Sequence, residues 1–74
     1  MNDNTIDSLK EALKYSPDNN PLRLLLAETL LALNRLEEAE IEFSTLLKLT
    51  NDTKAKVGLA KVFFKKEIMG ELYH

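Results

Sequence analysis

The side chains able to do chemistry in this chain are few, and their spacing gives them little to work with. His74 is the sole histidine and the last residue of the sequence. A general base needs a neighbour that fixes its tautomer and pKa, so His74 reads as a frayed end or a tag remnant. The acids of "LEEAEIE", Glu37, Glu38, Glu40 and Glu42, could ligate a hard cation. With no histidine near them they read instead as a solvated helix face. Gly58 and Gly70 belong to no glycine-rich phosphate loop. Gly58 reads as a site of close helix packing, and Gly70 as a weak point that costs a helix about 1 kcal/mol relative to alanine. Cysteine is absent, which removes thiolate metal sites and disulfides together. No catalytic residue, no cofactor and no metal site is expected, so the chain reads as no enzyme.

Charge is the remaining resource. Net charge is −2, but residues 1–50 hold nine acids against five bases while residues 51–74 hold five lysines against three acids. An electrostatic preference therefore belongs to the last third. Lys54, Lys61 and Lys65 follow steps of seven and four and share one helix face, with Val57 and Phe64 close to it. That face serves either solubility or an acidic or amphipathic peptide. Nucleic acid is not expected as a partner, because no arginine joins these lysines and the overall charge is negative.

The elements that carry these residues are helices. Period-2 patterning is absent and helical spacing fits almost throughout, which gives an all-α chain with helices at about 5–16, 21–33, 36–50 and 53–69. The first places Ile6, Leu9, Ala12 and Leu13 on one face and stops at Pro17. The second opens on Pro21 and is apolar almost all round, so it needs neighbours on more than one side. Asn34 suits the left-handed end of a helix, which makes "LNRLEE" an αα-hairpin bend. Leu36, Ala39, Phe43, Leu46 and Leu47 then recur at steps of three and four. Asp52 or Thr53 is the expected cap of the fourth helix. Residues 1–74 read as a single small domain, with 45% hydrophobic and 30% charged residues. A chain of this length buries only about 60% of its unfolded surface, so a partner or second copy is a natural supplement. The polar, acidic start is unlike a signal peptide, and "LLLAETLLAL" is half a membrane span broken by Glu28 and Thr29. The expectation is a cytoplasmic protein without a membrane partner.

The chain also matches itself. A shift of 34 lays "ALKYSPDN" over "LLKLTNDT", and a shift of 33 lays Leu26, Ala27, Leu30 and Leu31 over Leu59, Ala60, Phe63 and Phe64, which gives a helix-pair unit of about 34 residues. In this it resembles the tetratricopeptide repeat family. With Asn20 as the first position of one full repeat, Ala27, Leu30, Asn34, Ala39 and Phe43 fall at that family's small, large, bend, alanine and aromatic positions. Arg23 stands where tryptophan is usual, Leu46 replaces a small residue, and Asn51 replaces a proline. The full repeat, 20–53, is flanked by half-repeats. The resemblance implies stacked antiparallel helix pairs of α-solenoid type. It also implies a concave peptide groove holding Leu24, Glu28, Leu31, Val57, Lys61, Phe64 and Lys65. Leu24 and Glu28 occupy the places of the basic and asparagine residues that clamp peptide carboxylates in chaperone-binding members, so that ligand is disfavoured.

After "FFKKEI" the family would bend into another helix, and "EIMGELYH" does not supply the bend. The fourth helix is thus expected to leave Phe63, Phe64, Ile68, Met69 and Leu72 uncovered, as a self-association surface for a homodimer. The function expected is a non-catalytic protein-protein interaction module, an adaptor or scaffold. The contrasting class is a regulatory or oligomerisation segment of a larger enzyme such as an ATPase, whose chemistry would lie elsewhere.

Overall fold

The computed structural model describes residues 3–72, with side chains from 4 to 69. Four helices follow one another: α1 (Asp3–Tyr15), α2 (Asn20–Ala32), α3 (Leu36–Thr50) and α4 (Thr53–Leu72). No strand occurs among the described residues. α1 begins before Thr5, and α4 runs through Gly70 without a break.

Each turn is set by a side chain suited to it. Asn19 Oδ1 accepts a hydrogen bond from the N–H of Leu22 at 3.1 Å and caps α2. Pro21 follows in the first turn, where a missing N–H costs nothing. Asn34 takes φ 60°, a conformation asparagine tolerates better than most residues carrying a Cβ. The N–H of Arg35 then donates to Leu30 O at 2.9 Å and closes the bend. Asn51 is left-handed as well, at φ 54°, and donates its N–H to Leu47 O at 2.9 Å. The family's proline could do neither, being locked near φ −65° and lacking the donor. Asp52 Oδ1 accepts from the N–H of Lys54 at 2.9 Å, so Asp52 is the residue that caps α4.

The helices form a slab of 41 × 29 × 14 Å. Its thickness suits two helix layers packed about 9 Å apart. α2 packs against α1, α3 and α4, which is why its sequence is apolar on nearly every side. Ala27 and Ala39 are fully buried between α2 and α3 and let the pair close, while Leu26 and Leu30 fill the space around them. Phe43 is also buried, and its ring lies against Gly58: a Cβ there would fall 2.1 Å from Phe43 Cε1. Such a contact is impossible for any side chain without moving a packed ring, so glycine sets how closely α4 approaches α3. Ile6 and Leu13 hold α1 in the core, whereas Ala12 is exposed. At 100° per residue Ala12 lies well off the Ile6–Leu13 stripe.

The acids of α3 need a correction. Glu37 is exposed, but Glu38, Glu40 and Glu42 are half-buried and paired with bases. Arg23 Nη1 donates to Glu42 Oε1 at 2.8 Å, with side chains only 19% and 20% exposed, and Arg23 Nη2 reaches Pro17 O at 3.3 Å. The residue standing in the tryptophan position therefore ties the α1–α2 turn to α3. Glu38 accepts from Arg35 at 2.7 Å and lies 3.5 Å from Lys10. The Arg35 hydrogen bond holds its carboxyl below the usual carboxylate range, against an opposing desolvation and with help from Lys10. Lys66 bridges α4 to α3, at 2.5 Å from Glu40 and 3.3 Å from Glu37. Its ammonium is raised above the ordinary lysine range, chiefly by the hydrogen bond to Glu40.

Candidate functional site

α2 and α4 lie side by side in the same direction. Asn20, Pro21 and Leu24 neighbour Lys54 and Ala55 at one end, and Leu31 neighbours Lys65 at the other. Adjacent helices in register 34 residues apart leave a furrow between them. Its larger part is a cleft of about 300 Å³ with Glu28 and Leu31 on the α2 wall, Val57 and Lys61 on the α4 wall, and Phe43 and Gly58 at the floor. Thr53 and Lys54 close one end, and Lys54 also borders a smaller hollow of about 160 Å³ that contains Leu24.

Of the seven groove residues expected from the sequence, the cleft brings together Glu28, Leu31, Val57 and Lys61. Leu24 lines the neighbouring hollow. Lys65 lines neither: its ammonium donates to Leu31 O at 3.3 Å and to Asn34 Oδ1 at 3.2 Å. A lysine at a helix C-terminus satisfies carbonyls left open there and opposes the helix dipole, so this charge serves the end of α2. Phe64 lines neither hollow and is exposed on the outer face of α4. Sequence reasoning grouped Lys54 with the groove-facing lysines but left Phe43, Gly58 and Thr53 out of the cleft. A glycine inside a helix-spaced apolar run was the available signal, because it opens the wall where a side chain would stand.

Lys54 and Lys61 are exposed and form no ion pair among the described residues. Glu28, also exposed, faces them from α2 without pairing. The cleft is thus polarised, positive on the α4 side and negative on the α2 side, over an apolar floor.

The second surface is the side of α4 turned away from the core. Ala55, Gly58 and Val62 are buried. About half a turn round, Val57, Phe64 and Ile68 are 48%, 63% and 41% exposed, with Ala60 between them and Phe63 at the edge, 53% exposed. Ala27 and Leu30, their counterparts in α2, are buried because α3 covers them. Among the described residues no helix covers Ala60, Phe63 and Phe64. Met69, expected on this surface, is half-buried and packs against the core instead. Ile68 and Met69 differ by 100°, and it is Met69 that falls on the buried stripe of Ala55, Gly58 and Val62. The side chain of Leu72 lies outside those described.

No group of three or more His, Cys, Asp or Glu side chains is arranged to hold a metal among the described residues. None of their helices is long and apolar enough to cross a membrane. A family model for the tetratricopeptide repeat matches residues 2–62. No match was found among curated proteins or among solved structures.

Proposed function

The chain belongs to the tetratricopeptide repeat family, whose members generally mediate protein-protein interaction, and on that premise we propose a non-catalytic binding module with two working surfaces. The cleft between α2 and α4 takes an acidic or amphipathic segment of a partner protein, and the outer face of α4 brings copies of the chain together. The proposed compartment is the cytoplasm, where a cysteine-free chain has nothing to gain from oxidation.

The observation that carries the first part is the pair Lys54 and Lys61. They are the unspent cations beside a furrow with an apolar floor, and they stand on one wall only. A carboxylate of the bound segment would meet them on the α4 side, while Glu28 repels a carboxylate placed against α2. The furrow therefore fixes the direction and face of its ligand as well as its charge. Two hollows along one furrow accept two apolar side chains with the acid between them, near Lys54.

An array of short peptides graded by net charge and hydrophobicity tests this reading. The wild-type chain should retain peptides that combine an acid with apolar residues, and Lys54→Glu with Lys61→Glu should lose them at unchanged helical circular dichroism. An unchanged retention profile in the double variant would remove the cleft as the site.

A further inference from the structure

We propose that two copies pair through α4 in antiparallel orientation, about a two-fold axis at the level of Val62. This rests on the self-association proposed above and specifies its geometry.

The outer face of α4 offers roughly 350 Å² of apolar surface from Val57, Phe63, Phe64 and Ile68, if a phenylalanine side chain presents about 200 Å². A stable interface needs about 800 Å² per partner, apolar at its centre and polar at its rim. Val57, Phe64 and Ile68 supply the centre, and Phe63 with the lysines and glutamate beside the stripe supplies the rim.

What could cover this face in a second copy is decided by the faces available. α1 of the next copy would extend the repeat head to tail. Its outer side, however, carries Asp7, Ser8, Glu11 and Lys14, all exposed, and burying them on Phe64 would strip charges of water without giving them partners. α4 of the second copy presents the same apolar face, and its cost is smaller: Lys61, exposed on the edge beside Val57, meets Lys61 of the second copy, against two opposite-charge pairs formed by Lys56 and Glu67.

Direction follows from Lys56 and Glu67. Eleven residues are close to three turns, so the two lie along the same edge of the stripe formed by Val57, Ala60, Phe64 and Ile68, with Phe63 outside them. Both are exposed, and neither has an ion-pair partner among the described residues. In an antiparallel two-fold pair each edge meets its own counterpart reversed. Lys56 of one copy then stands within one residue of Glu67 of the other, twice by symmetry. The same register sets Phe64 over Ala60 of the second copy, large against small, and Val57 beside Ile68. Parallel pairing does the reverse. It sets Phe64 on Phe64, leaves a gap at Ala60, and brings Lys56 near Lys54 of the second copy.

The test is a charge exchange on the full chain, read by sedimentation equilibrium. Wild type should sediment at twice 8.4 kDa, and Phe64→Glu at the monomer mass with unchanged circular dichroism. Lys56→Glu alone and Glu67→Lys alone should each weaken the dimer about tenfold, because two attractions become two repulsions. The double exchange should return it to within about twofold of wild type. If Phe64→Glu dissociates the dimer and the double exchange restores nothing, self-association stands and the antiparallel register is overturned. A wild-type monomer at high micromolar concentration overturns both and leaves the face to a different protein. All the substituted side chains are exposed, so the variants do not disturb the core.

Discussion

α1 buries Ile6 and Leu13 and turns Asp7, Ser8, Glu11 and Lys14 outward, while α4 buries Ala55, Gly58 and Val62 and turns Val57, Phe64 and Ile68 outward. Both helices stand at an edge of the slab with one side covered. Their outer sides differ in kind. Tyr15 is exposed on α1 but stands alone at its last turn, where a single apolar ring is unremarkable. In a stacked-helix protein an amphipathic terminal helix seals the array and a helix apolar on opposite sides leaves it open. The difference teaches that a helix with little net amphipathicity in a small protein need not be a poor helix. It can be one helix with two interfaces.

The contrast between the ends can be broken most strongly from beneath. Phe43→Ala should cost about 3–5 kcal/mol in urea unfolding, because it empties the space under Gly58. Amide exchange should then rise in α4 well before it rises in α1. Equal loosening of both helices would show that Phe43 does not belong to the α4 end in particular.

A smaller effect is expected from exchanging the turn residues. Pro17 follows α1, and Asn51 holds the matching place after α3. Asn51→Pro should destabilise by about 2 kcal/mol, since a positive φ and an N–H to Leu47 O are both lost. Pro17→Asn should change stability by less than about 1 kcal/mol. Equal effects on the two melting temperatures would mean that the left-handed turn is dispensable.

The smallest effects are in pH. Glu38, whose carboxyl is held low by Arg35 with help from Lys10, contributes stability that is present above its unfolded pKa and is lost as pH falls through its folded value. Lys66, whose ammonium is raised by Glu40, contributes stability that is present below its unfolded pKa, about 10.4, and is lost as pH rises through its folded value. Acid therefore weakens a tie that includes α1, and alkali weakens the tie from α3 to α4. Lys66→Ala should flatten the alkaline limb of the melting-temperature profile, and an unaltered limb would show that this ion pair adds nothing.

Much of the fold was legible because helical spacing and turn chemistry act locally. Leu36, Ala39 and Phe43 at steps of three and four, and asparagine at the bend, need no knowledge of the rest of the chain. The sites were legible only in part. Lys65 shares the spacing of Lys54 and Lys61, yet it spends its charge on a carbonyl 34 residues away, a fact set by helix stacking. The acids of "LEEAEIE" look like a solvent face until Arg23, Lys10 and Lys66 arrive from other elements. Met69 and Ile68 look alike as apolar letters, and only the rotation of α4 about its axis separates them. Asn51 looked like a departure from the family pattern, when its left-handed backbone is what makes asparagine the better residue there.

Among the described residues every contact between helices in the slab joins neighbours or next neighbours along the chain, with none between the backbones of α1 and α4. Short loops close at small entropic cost, and proteins with such local contacts fold in microseconds to milliseconds. The chain can thus organise pair by pair as it is made. α4 follows the helices it rests on, so its outer face takes shape only after α2 and α3 are in place to hold it.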